Sequence, residues 1–96
     1  MEKIIVNATN TDFNRKLEKA FYEVKSRANV ISFMLSNPSY DETTFKSYHD
    51  DYVNKTIEYE RLKKETSKVY NLAQYGEKAS WNFNFEDDQI VVTIHD

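Results

Sequence analysis

The residues best suited to chemistry fall into a few small groups. His49 stands beside Asp50 and Asp51, a set of donors that would suit a metal ion. Adjacent helical residues point in different directions, however, and a metal site needs three or four converging ligands with a supporting outer shell. The triplet therefore reads as a solvated helix face. His95, the other histidine, is penultimate. Glu86, Asp87 and Asp88 would attract a hard cation, but they lack the glycine turn and ligand spacing of a calcium loop. They read as a solvated hairpin tip. No Ser-His-Asp, GxSxG, P-loop or HExxH pattern is present. The only glycine is Gly76, which leaves no glycine-rich loop to cradle a phosphate, and without cysteine there is neither a disulfide nor a thiolate ligand. The expectation is a protein that is not an enzyme, with no catalytic residue, no metal and no cofactor.

Two groups suit binding better. Arg61, Lys63, Lys64 and Lys68 make a short basic stretch that would meet nucleic acid, with Tyr59 or Tyr70 stacking on bases. Glu58, Glu60 and Glu65 dilute it, and a net charge of -3 argues against a general cationic face, so nucleic acid is an unfavoured partner. The tyrosines carry more. Tyrosine offers a large contact area at low entropic cost, which suits interfaces. Tyr22, Tyr40 and Tyr75 lie off the apolar seams described below and are the candidate anchors, with Asp50 and Asp51 as candidate charged contacts. Trp81, Phe83 and Phe85 are expected to cover the helices. If their strand forms a sheet edge, it would also accept a peptide by strand pairing.

The elements that must position these residues follow from periodicity. A length of 96 residues fits one domain, 1–96, and 15% aromatic content supplies buried area from few side chains. Ile4-Ile5-Val6 marks a strand over 3–7. Phe13, Leu17, Ala20, Phe21, Val24, Ala28, Ile31 and Leu35 recur at threes and fours, which predicts a helix over 12–36 capped from Asn10, Thr11 or Asp12. Pro38 ends it, and Ser39-Tyr40-Asp41-Glu42 has the form of a capping box for the next helix. That helix is expected over 41–74, with the seam Phe45, Tyr48, Tyr52, Lys55, Tyr59, Leu62, Thr66, Val69 and Ala73, and Gly76 as its stop. At 1.5 Å per residue it would span roughly 50 Å against roughly 37 Å for the first, so it should project or bend. Trp81-Asn82-Phe83-Asn84-Phe85 and Ile90 to Ile94 alternate as a hairpin, with strands 80–85 and 89–94. A lone hairpin is marginal, so the first strand is expected to join it. The fold class is α+β in the order β-α-α-β-β: a long antiparallel helical hairpin with a small three-stranded sheet.

The helical pair, from Leu17-Glu18-Lys19-Ala20-Phe21-Tyr22 through Tyr59-Glu60-Arg61-Leu62-Lys63-Lys64, and the closing Trp81-Asn82-Phe83-Asn84-Phe85 with Ile90 resemble the small accessory proteins encoded beside radical-SAM maturases of CXXX-repeat peptides. The single tryptophan, Trp81, departs from the tryptophan pair of that family's second helix. The resemblance implies a non-catalytic partner that helps a maturase engage its peptide. It implies no site residues.

The functional expectation is a non-enzymatic protein-binding module: an adaptor, accessory subunit or inhibitor. A small acidic phage or mobile-element protein that blocks a host nucleic-acid enzyme fits the same residues, with Asp50, Asp51, Glu86, Asp87 and Asp88 imitating phosphates. A nucleic-acid binder using Arg61 to Lys68 and a self-assembling homodimer are the remaining alternatives. The apolar run at Ile4 is three residues long, against about 7–15 for a signal peptide and about 20 for a membrane span, so a cytoplasmic protein without membrane contact is expected.

Overall fold

The computed structural model describes residues 1–37 and 39–96. The elements are strand β1 (Glu2–Asn7), helix α1 (Thr11–Leu35), helix α2 (Glu42–Val69), a short 3-10 helix (Leu72–Tyr75) and strands β2 (Ala79–Asn84) and β3 (Gln89–Ile94). The sheet is antiparallel throughout, with β3 in the centre and order β1-β3-β2. The α+β architecture and the β-α-α-β-β order are as the periodicity predicts.

Strand alternation sorts the sheet into two faces. Ile4, Val92 and Trp81 form one cross-strand row, and Val6, Ile90 and Phe83 the next. These rows bury Ile90 and Val92 completely against Ala8 and Leu72, with Tyr70 and Tyr75 at the margin. The opposite face carries Lys3, Ile5, Val91, Ser80 and Asn82, and Ile5 is exposed there. A second apolar cluster lies between the helices, where Leu17, Ala20 and Leu62 are buried with Phe13 and Tyr59 against them. Phe83 packs on both clusters and so couples the sheet to the helical pair.

Local chemistry sets the ends of the elements. Asn10 caps α1, its Oδ1 accepting the Phe13 N–H at 3.1 Å. The expected capping box does not form. Asp41 caps α2, accepting the Thr44 N–H at 2.7 Å, and the Ser39 hydroxyl donates to Asn37 Oδ1 instead. The Thr44 N–H at its carboxylate holds Asp41 below the ordinary aspartate range. That contribution is present above the ordinary range and is lost as pH falls through the lowered value. Helix α1 ends at Leu35, one residue before the expected end at 36, and Pro38, expected to end it, lies outside the described residues.

The second helix is shorter than its seam suggests. It stops at Val69, not Gln74, because Asn71 adopts a left-handed conformation at φ 51°. The turn sends Leu72 and Tyr75 under the sheet, where burying a leucine outweighs another turn of helix. Helix lengths of roughly 37 and 42 Å then nearly match, and most of the expected overhang disappears. Gly76, at φ 89°, ends the 3-10 helix rather than α2. The hairpin turn is also offset by one residue. Asn84 Oδ1 accepts the N–H groups of Glu86 and Asp87, folding Phe85 into the turn.

The helical pair extends away from the sheet as an arm. Beyond Ala20 on α1 and before Leu62 on α2, Met34 is the only buried apolar residue among the described residues. Tyr48, expected in the seam, is 48% exposed because no third layer covers it. The radius of gyration is 16.6 Å, against roughly 12–13 Å for a compact chain of this length. Ion pairs cross the arm from Arg27 to Asp51 at 3.0 Å and from Lys55 to Glu23 at 3.3 Å. They replace the Asp51–Lys55 pairing that the i, i+4 spacing favours.

Where arm and sheet meet, the polar side chain of Asn14 is fully buried. Asn14 donates from Nδ2 to the Ala8 carbonyl at 2.9 Å and to Asp88 Oδ1 at 3.3 Å, and its Oδ1 accepts the Tyr70 hydroxyl at 2.5 Å. Asp88 is held at φ 50°; its carbonyl accepts the Ala8 N–H at 2.9 Å and its carboxylate pairs with Arg15. Removing one member strands buried partners, which costs roughly 1–3 kcal/mol per group. Asn14→Ala is therefore expected to lose about 2–4 kcal/mol in urea unfolding and Tyr70→Phe about 1–2 kcal/mol, with the double variant losing less than the sum. Additive losses would show that the partners act independently.

Candidate functional site

A cleft of about 340 Å³ opens between the base of the helical pair and β2. Leu17, Phe21 and Tyr22 of α1 form one wall, Tyr59 and Lys63 of α2 another, and Trp81, Asn82, Phe83 and Phe85 the third. The aromatic period of the helices and the alternation of the strand bring these rings together from three elements. Phe83 and Phe85 stack at 4.7 Å between ring centres, Phe21 lies 5.9 Å from Phe85 and 5.8 Å from Tyr59, and Tyr22 meets Phe21 edge-on at 5.2 Å. Such contacts pack the rings against one another, so the cleft presents aromatic faces beside the polar groups of Tyr22, Tyr59, Lys63 and Asn82.

Among the described residues, Lys63 is the one charged residue lining the cleft. Its Nζ lies 5.5 Å from the centre of the Tyr59 ring and makes no ion pair among the described residues. Burial and, secondarily, the neighbouring Glu60 raise the Tyr59 hydroxyl above the ordinary tyrosine range.

The strand beside the cleft is a free edge. The His95 N–H donates to the Lys78 carbonyl at 2.9 Å, one step outside the Ala79–Ile94 register. Antiparallel alternation then turns Ser80, Asn82 and Asn84 toward β3 for backbone bonding and turns the N–H and C=O groups of Trp81 and Phe83 away from it. No backbone group among the described residues pairs with them.

The structure distributes the sequence candidates unevenly. Tyr22 is 52% exposed and stands at the cleft. Tyr40 lies at the far tip of the arm, edge-on to the exposed Phe33. Tyr75 is not an exposed anchor: it packs half-buried against the sheet core, drawn there by the 3-10 turn. Asp50 is exposed, whereas Asp51 is tied to Arg27. Asp88, expected at a solvated tip, is engaged by Asn14 and Arg15. Arg61, Lys64 and Lys68 share the outer face of α2 at steps of three and four. Lys63 instead turns to the cleft. Arg61 is held by Glu58 at 2.6 Å and Glu65 at 3.3 Å, which leaves less free charge on that face. Sequence reading named Tyr22 and the Trp81 strand. It missed Phe21, Tyr59 and Lys63 as walls of one cleft, since the first two read as seam residues and the third as a surface cation.

Among the described residues, no group of three or more His, Cys, Asp or Glu side chains could hold a metal ion. No helix there is long and apolar enough to cross a membrane. Compared with known proteins, the chain matches no family model, no curated protein and no solved structure.

The raised Tyr59 value favours the neutral phenol in the folded state. Its contribution is complete below the ordinary tyrosine range and is lost as pH rises through the raised value. In an alkaline absorbance titration, Tyr59→Phe is expected to remove a component that titrates above the ordinary range. Loss of a component within that range would mean that Tyr59 is fully hydrated.

Proposed function

We propose that this chain is a non-enzymatic protein-binding module that engages its partner through the aromatic cleft at the base of the helical arm. The observation that carries the reading is the aromatic wall, built from three elements, meeting a strand edge whose Trp81 and Phe83 backbone groups are unpaired among the described residues. Interfaces concentrate their energy in tyrosine and tryptophan anchors set in such pockets. The resemblance to accessory proteins of radical-SAM maturases is in keeping with a non-catalytic partner. Affinity capture from the native host with the parent chain and with Tyr22→Ala tests the reading. Tyr22 is half-exposed and outside both buried clusters, so its loss should leave the fold intact. A stoichiometric partner captured by the parent and lost from the variant is expected. The same proteins on both, or none on either, would sink the reading.

A second reading, self-assembly, is favoured by the arm. Phe33 at 59%, Leu35 at 70% and Ile57 at 63% exposure leave apolar surface along a helical pair that lacks a third layer. Two arms packed together would bury part of it in a four-helix core. On this reading, sedimentation equilibrium shows a dimer that Phe33→Ser with Leu35→Ser converts to monomer. A parent chain that stays monomeric at high concentration removes it.

A further inference from the structure

We infer that the partner segment is an extended peptide that adds as a fourth strand along the free edge of β2, placing apolar side chains two residues apart in the aromatic cleft and an acidic side chain beside Lys63. The inference rests on the protein-binding reading above and narrows it to one mode.

The edge is open and unguarded. Trp81 and Phe83 direct N–H and C=O groups outward, at the spacing a neighbouring strand would match. Proteins usually blunt such edges with charges, proline or a covering element. The other edge, β1, carries Glu2 and Lys3, whereas β2 from Ala79 to Asn84 holds neither a charged residue nor proline. The cleft lies along the β2 edge, lined mainly from the face to which the Trp81 and Phe83 side chains point, with Asn82 bordering it from the other face. Side chains of a strand alternate between faces, so every second residue of an added strand would project into the cleft, about 4.7–4.9 Å from β2. A bound helix would fill part of the cleft but leave the edge groups unpaired.

Charge selects the occupant further. Lys63 is the lone charge of the cleft and has no ion partner among the described residues. An incoming carboxylate would supply one and fix the register of the added strand. Edge-to-edge pairing of two copies of β2 would bring two such lysines together without supplying an anion. It is the less favoured occupant.

The test selects peptides from a displayed random library on the immobilised full chain. Enriched sequences are expected to alternate apolar residues and to contain an acid. A synthetic copy should slow amide exchange at Trp81 and Phe83. N-methylation of its edge-facing amides should weaken binding about tenfold or more, while N-methylation of the alternate set should not. Lys63→Glu should also weaken binding about tenfold, with Lys63→Gln intermediate. No enrichment, protection confined to the far end of the arm, or indifference to N-methylation overturns the inference. Failure here together with Tyr22-dependent capture removes the strand mode alone. Loss of both removes the protein-binding reading as well.

Discussion

The side chain of Asn14 sits at the one place where the helical arm, the sheet and the chain leaving the second helix all meet. It is completely buried, and its partners come from the loop before α1, from the hairpin turn and from Tyr70 at the end of α2. An apolar residue there would leave the Ala8 carbonyl without its side-chain donor and the Tyr70 hydroxyl with only its longer bonds to the Asn10 backbone. The polar network therefore sets the angle at which two small apolar clusters join, and neither cluster is large. Phe83, shared by both, fills the apolar side of the same junction. The cleft exists because this junction holds β2 at a fixed distance from the base of the helices.

The main elements were legible because their periods are clear. Threes and fours along α1 and strict alternation around Trp81 and Ile90 each admit one reading. The interruptions were less legible. Asn71 gives no more signal than any other asparagine, yet its left-handed conformation ends α2 five residues before the expected stop. A burial requirement of Leu72 and Tyr75, which belongs to the tertiary structure, decides the matter. Ser39 and Glu42 match a capping pattern, but the neighbouring Asp41 presents its carboxylate to Thr44 and takes the role. Asn14 shows the same limit most sharply. A polar residue between Phe13 and Arg15 reads as helix surface until the three partners around it are seen.

The binding residues divide in the same way. Tyr22 stood out by lying off the seam, and Trp81 by its strand. Phe21 and Tyr59 did not, because a seam residue at the base of the arm packs inward on one side and lines the cleft on the other. No period distinguishes these two uses. The arm itself is marginally covered for the opposite reason: its seam is regular, but no third layer meets it, so residues with the right spacing remain partly exposed.

The central position of β3 has a consequence for the order of assembly. Both outer strands depend on it, and β1 must wait for a partner nearly the whole sequence away. On a chain emerging from the ribosome, the helical arm, whose contacts are closer in sequence, can close first. The run Ile4-Ile5-Val6 meanwhile remains an unsatisfied strand. The interval between synthesis of the arm and synthesis of β3 is thus a window in which the nascent chain is open to association with other strands. A chaperone or a co-translational partner would have most to offer during that interval.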